Sequence, residues 1–395
     1  MDFSFDIPPL AIGLFEASIL ATIIALSLFL TRILPLHRRR RADKAAAAAA
    51  DPDAADSCGA SIIVYSNDQA EELAALLPSL LSQRYAPGYE VIVVNEGDSP
   101  RVRAAVESLQ MQHSNLYLTY TPDGARNLSR KKLAITLGIK AARYPVVVLT
   151  SAGAMVGSDR WLGRMMRHFS DGGHVELVLG IAVADTDEDS ALWKRIRSFD
   201  LAVDTAAWVT DAIAGRPWRG VEYNLAYRRD TFFRNKGFSS QLNLRHGDDD
   251  IFVSEIATPA NTAVELSDES VVTVPGVNTL RAQRDRNVQR RFTRRFIRRR
   301  PRLAGAAGWW LYLAAGVLPA VAVAMQPANG LMWLCAAVCL TCWYLAALVW
   351  RNAITAMRGR RLLLSLPFIA AMRPLRKLTG AAMARVAHGK RYTWE

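Results

Sequence analysis

Three long apolar segments limit what this chain can fold into. The first covers residues 10–34 and contains one acidic residue, Glu16, so it is long and apolar enough to cross a bilayer. A basic run at residues 37–41 follows it, whereas a cleaved signal peptide carries its basic residues first. The other two segments, residues 303–325 and 331–350, are joined by a short uncharged turn. We therefore predict a retained N-terminal anchor and a later pair of membrane helices.

Basic residues are distributed unequally around these segments. Lys and Arg are absent before Arg32 and from the turn at residues 326–330. Four basic stretches would instead share the opposite face of the membrane: residues 38–41, 281–302, 351–361 and 373–391. Because basic segments stay in the cytoplasm, we expect an integral protein of the inner (cytoplasmic) membrane with its N-terminus outside. The soluble domain and the C-terminus would then be cytoplasmic, and this topology accounts for most of the net charge of +13.

Changes in composition divide the chain into predicted parts. Residues 42–59 are rich in alanine and are typical of a linker. A short apolar run at residues 362–372 cannot span a bilayer and contains Pro367, which indicates an interfacial or a re-entrant segment. The predicted parts are the anchor with its basic flank (1–41), the linker (42–59), a soluble domain (60–280), an Arg-rich juxtamembrane segment (281–302), two membrane helices (303–350) and a basic cytoplasmic tail that contains the short interfacial segment (351–395).

The first half of the soluble domain alternates short apolar runs with amphipathic stretches. The apolar runs are continuous, which is typical of parallel strands covered on both faces. The predicted strands are residues 61–65, 89–94, 116–120 and 146–150, and the predicted helices are residues 69–82, 102–110 and 131–142. This order predicts an α/β fold with a mostly parallel sheet and helices on both of its faces.

Polar residues follow these predicted strands at their carboxyl ends. Asn67 follows the first strand, Glu96 and Asp98 follow the second, and Ser151 and Gly153 follow the fourth. Parallel sheets bind ligands at this edge, and carboxylates and amides can hold a ribose or a base. Each group taken singly is also typical of a turn or a helix cap. Their common position favours a binding site.

Three consecutive aspartates, Asp248, Asp249 and Asp250, follow Gly247. Neighbouring carboxylates repel one another and raise one another's pKa, so such a cluster is costly unless it has a use. One interpretation is an Asp-rich turn that caps the next helix. The other is a catalytic carboxylate.

Several motifs occur together in one order and spacing. They are residues 61–67, 90–95, 130–139, 224–228 and 247–250, followed by Gln283 and Arg286. Residues 60–302, with the anchor before and the helices after, resemble a membrane-anchored family 2 glycosyltransferase with a GT-A fold. The resemblance implies a nucleotide-sugar-binding sheet and an enzyme that transfers the sugar, with inversion, to a lipid or polysaccharide acceptor at the cytoplasmic membrane face.

The resemblance also gives individual residues a role. It implies that Asp249 is the general base for the acceptor hydroxyl and that Asp248 belongs to the same catalytic motif. Gln283 and Arg286 match a Q-x-x-R element that lies beside the acceptor and the donor diphosphate. The side chains that it implies for donor or acceptor binding are Asn67, Glu96, Asp98, Lys131, Lys132, Asn224, Gln283 and Arg286.

The chain departs from this family at three places. After the fourth strand the family has Asp-x-Asp, which holds Mg²⁺ or Mn²⁺, but the matching residues here are Ser151 and Gly153. Neither supplies the anionic oxygen that these ions require, so we predict that the metal ligands are lost. Glu222 stands in place of an expected glycine, and Asn287 stands in place of an aromatic residue or histidine.

Two functions are consistent with this pattern. One is a working transferase in which Lys or Arg replaces the metal. The other is a non-catalytic relative that acts as a partner or regulator of an active transferase. Val288, Phe292 and Phe296 form an apolar stripe in the Arg-rich segment, which favours contact with anionic membrane lipids. Aromatic residues are too sparse there to stack on bases, so we expect no nucleic-acid partner.

Overall fold

The computed structural model describes residues 7–49, 58–122, 128–170, 172–185, 191–297, 304–356 and 365–386. Helices and strands alternate through the soluble domain, and long helices precede and follow it. In chain order the elements are α1 (Pro9–Ala49), β1 (Ala60–Ser66), α2 (Ala70–Leu81), β2 (Tyr89–Asn95), α3 (Pro100–Gln110), β3 (Leu116–Tyr120), α4 (Arg130–Ala141), β4 (Val146–Ser151), β5 (Met155–Val156), α5 (Trp161–Met166), β6 (Leu177–Leu179), β7 (Ala182–Ala184), α6 (Leu192–Ile213), β8 (Leu225–Arg228), α7 (Arg229–Arg234), α8 (Asp250–Ile256), β9 (Thr262–Val264), β10 (Val272–Val274), α9 (Leu280–Thr293), α10 (Ala304–Met325), α11 (Gly330–Ala356), α12 (Leu366–Ala371) and α13 (Arg373–Val386).

The main sheet has the strand order β3-β2-β1-β4-β8-β6-β9 among the described residues. β1 pairs in parallel with β2 and β4, and β2 pairs in parallel with β3. β8 is antiparallel to both of its neighbours, β4 and β6. A smaller sheet in the order β5-β10-β7 lies beside it. The predicted α/β class with a mostly parallel sheet is confirmed.

Helices cover both faces of the main sheet. On one face the buried leucines of α2 pack with α3, α5 and one side of the strands. On the other face α4 and α6 pack against the opposite side. α4 approaches the strands so closely that a Cβ atom on Gly138 would lie 2.7 Å from Ile63 and 2.8 Å from Val94. A side chain at this position would force α4 away from β1 and β2.

Three helices in the described part of the chain are long and apolar enough to cross a membrane. They are α1, α10 and α11, and they pack against one another. The Ser18 hydroxyl donates to the Ala315 carbonyl at 2.8 Å, and the rings of Tyr312 and Trp343 stack at 5.1 Å. The prediction of one such helix before the soluble domain and two after it is confirmed.

The second half of α1 binds to the soluble domain. Arg39 donates to the Val264 carbonyl at 3.2 Å, and Asp43 is buried and pairs with Arg167 at 2.9 Å. Arg167 also pairs with the buried Glu265 at 2.6 Å. The first part of the predicted linker is therefore helical and attached to the domain, while residues 50–57 lie outside the described residues.

The C-terminal helices fold back onto the rest of the protein. α12 begins within the short apolar run, and most of its residues are buried against α10 and α11. Residues 362–364, at the start of that run, lie outside the described residues. α13 packs against α9. The apolar stripe of the Arg-rich segment is divided: Phe292, in α9, is buried with Leu244 and Ile251, whereas Phe296, which follows α9, is exposed. The predicted domain boundaries and the contact with lipids stay predictions.

Candidate functional site

The carboxyl ends of β1, β2 and β4 lie side by side. Ser66 is in register with Asn95, and Tyr65 is in register with Ser151. The polar residues that follow these strands therefore meet at one edge of the sheet, as parallel pairing requires. Residues from α4, from the segment before β8 and from the start of α8 complete this edge.

The three aspartates lie at the start of α8. Gly247 precedes them with φ of +112°, a left-handed conformation that favours glycine. Asp249 caps the helix, since its carboxylate accepts from the Asp250 backbone N–H at 2.8 Å. Asp250 accepts from the hydroxyl of Thr293 on α9 at 2.6 Å. The capping interpretation is thus geometrically correct, but all three side chains are also buried, which a capping turn does not require.

These carboxylates differ in their pKa values. Burial, with the neighbouring carboxylates of Asp250 and Asp248, raises the pKa of Asp249 to about 7. Burial also opposes ionisation of Asp248, but the ammonium groups of Lys131 and Lys132 outweigh it and hold the pKa of Asp248 below its ordinary value. Neighbouring acids whose pKa values are pushed apart can act as an ionised group and a proton acceptor near neutral pH.

Lys131 lies at the centre of the edge. Its ammonium group pairs with Asp248 at 2.7 Å and contacts the Glu222 carboxylate. It also lies 5.6 Å from the centroid of the Tyr65 ring, and the Tyr65 hydroxyl donates to Glu96. A lysine and three carboxylates thus surround one tyrosine beside Ser151.

Lys132 has a different role from its neighbour. Its side chain is fully buried, and its ammonium group donates to the backbone carbonyls of Gln241, Leu244 and His246 at 2.7, 3.1 and 2.9 Å. These contacts hold the loop that leads into the aspartates. Lys132 therefore holds the loop before the aspartates in place. Of the two lysines, Lys131 is the one at the edge of the sheet.

We expect Lys132→Met to lower the free energy of unfolding by about 1–3 kcal/mol, because buried carbonyl acceptors lose a charged donor. The thermal midpoint in detergent is the measurement, with Lys140→Met as a matched control on the exposed face of α4. A midpoint equal to that of the control would show that Lys132 does not hold the loop.

Other predicted binding residues are placed differently. The amide of Asn224 is fully buried: it accepts from the Trp161 indole N–H at 3.1 Å and donates to the carbonyls of Ile181 and Ser270 at 2.9 and 2.8 Å. Its hydrogen bonds hold the two sheets together, which leaves little capacity for a ligand. Asn67 is exposed at the end of β1. Asp98 is also exposed and pairs with Arg103, an arrangement typical of a solvated surface pair.

Gln283 and Arg286 face different surroundings. Gln283 lines a groove of about 680 Å³ between α6, α9 and α13. Arg286 donates to the Val277 carbonyl, and burial together with Arg290 lowers its pKa to about 10. α9 contacts the aspartates through the hydrogen bond from Thr293 to Asp250. This contact involves neither Gln283 nor Arg286, and their binding roles stay predictions.

A family model covers almost the whole chain. The model of glycosyl transferase family 21 matches residues 19–387. The chain belongs to this family. The expected resemblance to a glycosyltransferase is therefore confirmed, and the family whose model matches is family 21. Comparison with curated proteins gives no match.

Solved glycosyltransferase structures resemble this family 21 chain more weakly. The mannosyltransferase PcManGT from Pyrobaculum calidifontis, solved with GDP-Man and Mn²⁺, superposes with a TM-score of 0.48 at 19% identity, over 90% of this chain and 99% of that one. S. aureus TarS 1–349, solved with UDP-GlcNAc, superposes with a TM-score of 0.40 at 14% identity, over 84% of this chain and 91% of that one.

The side chains of this family 21 protein do not form an evident metal site. The described residues contain no cluster of three His, Cys, Asp or Glu side chains placed to hold a metal ion. Ser151, at the expected metal position, directs its hydroxyl to the Tyr65 carbonyl at 3.4 Å. The nearby carboxylates of Glu222 and Asp248 are already paired with Lys131. Lys131 thus occupies the position beside these carboxylates that a divalent ion would need.

The sequence pattern missed two residues of this glycosyltransferase that the structure brings to the site. Tyr65, within β1, reaches Glu96 through its hydroxyl. Arg219 lies near Asp249 and Asp250, where burial, with the charge of Arg290, lowers its own pKa. The strand pattern assigned Tyr65 to the core, and no motif marked Arg219. The contact of Glu222 with Lys131 was also missed, although Glu222 in place of the expected glycine is a sequence signal that could have indicated it.

Proposed function

We propose that this family 21 protein transfers a sugar from a nucleotide-sugar donor to a lipid or polysaccharide acceptor at the cytoplasmic membrane face, with inversion and without a donor-bound metal. The observation that carries the proposal is the ion pair of Lys131 with Asp248, next to the buried Asp249 and at the edge where parallel sheets bind ligands. Membership of a glycosyltransferase family supports it.

In this mechanism the acceptor hydroxyl oxygen attacks the anomeric carbon of the donor sugar. The new carbon–oxygen bond forms as the bond to the diphosphate breaks, and the nucleoside diphosphate leaves. Asp249 takes the hydroxyl proton, and its pKa of about 7 suits a base near neutral pH. Lys131 supplies a positive charge to the leaving diphosphate, the role that a divalent ion would otherwise have.

A second candidate function is that of a non-catalytic partner or regulator of another transferase. One observation favours it: the space enclosed by Tyr65, Lys131, Ser151, Glu222 and Asp248 is only about 10 Å³. That volume holds about one water molecule. A donor would bind here only if Lys131 moved away from Glu222.

Calorimetry on the full chain in detergent separates the two functions. We expect UDP- or GDP-sugars to bind with the same Kd in EDTA and in Mn²⁺, because the Lys131 ammonium group, and not a metal ion, would face the diphosphate. Binding that requires Mn²⁺ would contradict the role of Lys131. If no sugar nucleotide binds in either condition, the edge is closed and the partner function is favoured.

A further inference from the structure

A cavity lies where the soluble domain meets the three long helices. Its volume is about 420 Å³, within the range of roughly 300–1,000 Å³ that is typical of small-ligand pockets. Its walls come from α1, α6, α8, α9, α10, α11 and α13 and from the segments before β8 and after α9. We call it the junction cavity, and its cationic lining residues are Arg32, Arg219, Arg290, Arg294, Arg373 and Lys377.

Positive charge in the junction cavity exceeds negative charge. The carboxylates that line its described walls are those of Asp204 and Asp250. Asp204 is shared by three cations, Arg290 at 2.5 Å, Arg373 at 2.7 Å and Lys377 at 2.6 Å. Asp250 is bound by Thr293, and burial raises its pKa, which weakens it as a counter-charge. Asp211 also pairs with Arg32 at 3.9 Å and Asp200 with Arg373 at 3.4 Å, so the protein neutralises the lining cations only in part.

Some guanidinium groups in the cavity also have unused donors. The Nε atoms of Arg219 and Arg290 are buried and have no hydrogen-bond partner. A buried charged donor without a partner is unfavourable, because it has lost its hydration without gaining a hydrogen bond. An anion with several acceptor oxygens would satisfy these donors and reduce the repulsion between the cations.

The rest of the cavity wall is apolar and lies at the level of the helix ends. Trp309 is near the start of α10, Trp350 is at the end of the apolar part of α11, and Ile297 follows α9. The Arg373 guanidinium lies over the Trp309 ring at 4.9 Å. Tryptophan and arginine side chains together are typical of the boundary between lipid headgroups and acyl chains.

We propose that the junction cavity binds the phosphate headgroup of a membrane lipid, with the phosphate on the arginines and the acyl chains along Trp309 and Ile297. A soluble phosphate could use the same cations but would leave the apolar wall without a partner. Because Asp250 lines this cavity, the bound lipid lies beside the segment that carries Asp249. The proposed lipid site thus lies between the membrane helices and the candidate catalytic edge.

Binding to the full chain in detergent tests this site without any sugar transfer. The probes are dioctanoyl phosphatidic acid, dioctanoylglycerol and inorganic phosphate, measured by calorimetry. We expect phosphatidic acid to bind about tenfold more tightly than either other probe, because it alone has both a phosphate group for the arginines and acyl chains for the apolar wall. Arg219→Gln and Arg294→Gln should each weaken that binding by about tenfold. Arg281→Gln, an exposed substitution on α9 outside the cavity, is the matched control.

Each alternative result has a definite meaning. Equal binding of dioctanoylglycerol would show an apolar pocket, and equal binding of inorganic phosphate would show a site for a soluble anion; either overturns the lipid site. So would unchanged binding in both arginine variants. Donor binding to the Arg294→Gln protein distinguishes this proposal from the proposed function, because that variant should keep the wild-type Kd for the nucleotide sugar.

Discussion

Replacing Asp249 by Asn is expected to lower sugar transfer by about 10²- to 10⁴-fold, the usual contribution of a general base. The amide has the shape of the carboxylate and can still cap α8, but it cannot take the acceptor proton. The fold should persist, because burial beside two other acids already disfavours the charged form of Asp249. The measurements are the initial transfer rate and the thermal midpoint.

The pH dependence of the wild-type rate gives a second readout of the same residue. A base must be deprotonated to act, so activity should fall as the pH decreases through about 7, the pKa of Asp249. The free energy of unfolding should change with pH in the opposite direction. Because the pKa of Asp249 is higher in the folded than in the unfolded protein, it favours folding at low pH, and this contribution is lost as the pH rises through about 7. Glu255→Gln, a partly exposed carboxylate on the same helix, is the control. Undiminished turnover in Asp249→Asn would remove Asp249 from the base role.

Replacing Lys131 by Met is expected to lower transfer by about 10²- to 10³-fold, similar to the loss of one preorganised donor at a developing charge. The substitution removes the cation that we propose for the diphosphate and leaves Glu222 and Asp248 without their shared partner. Lys131→Arg should retain more activity, because it keeps the charge. The rate with saturating donor is measured in EDTA and in Mn²⁺.

The metal dependence of the Lys131 variants sharpens this test. Wild-type activity should be the same in EDTA and in Mn²⁺. In Lys131→Met the two released carboxylates could hold a divalent ion, so added Mn²⁺ should restore part of the lost rate. Lys140→Met, on the exposed face of the same helix, should behave as wild type. Full activity of Lys131→Met in EDTA would show that this lysine has no role in transfer.

The regular part of the fold could be predicted from the sequence. Continuous apolar runs and leucine-rich amphipathic stretches located the elements from β1 to β4 to within about two residues, since the pattern of burial there is simple. The short strands from β5 to β10 gave no such signal, because each has only two to four residues. The antiparallel insertion of β8 next to β4 depends on contacts across the sheet and has no local signature.

The candidate site could be predicted only in part. The position of the aspartates and the meeting of polar residues at one edge follow from local patterns and from parallel pairing. The contacts of Lys131 with Glu222 and Asp248 depend on three segments far apart in the chain, so neither spacing nor periodicity could show them. For the same reason, two adjacent lysines could not be assigned separate roles before their surroundings were known.

The length of α1 has a consequence for how substrates meet. At about 1.5 Å per residue its 41 residues extend for roughly 60 Å, about twice the thickness of the hydrocarbon core. The second half of α1 is bound to the domain through Arg39 and Asp43, so an α1 that spans the bilayer would hold the candidate catalytic edge at a nearly constant height above the membrane. The lipid acceptor that we propose would diffuse in that same plane. The encounter between the protein and that acceptor would then be a search in two dimensions, in which the attached helix limits how far the domain can tilt away.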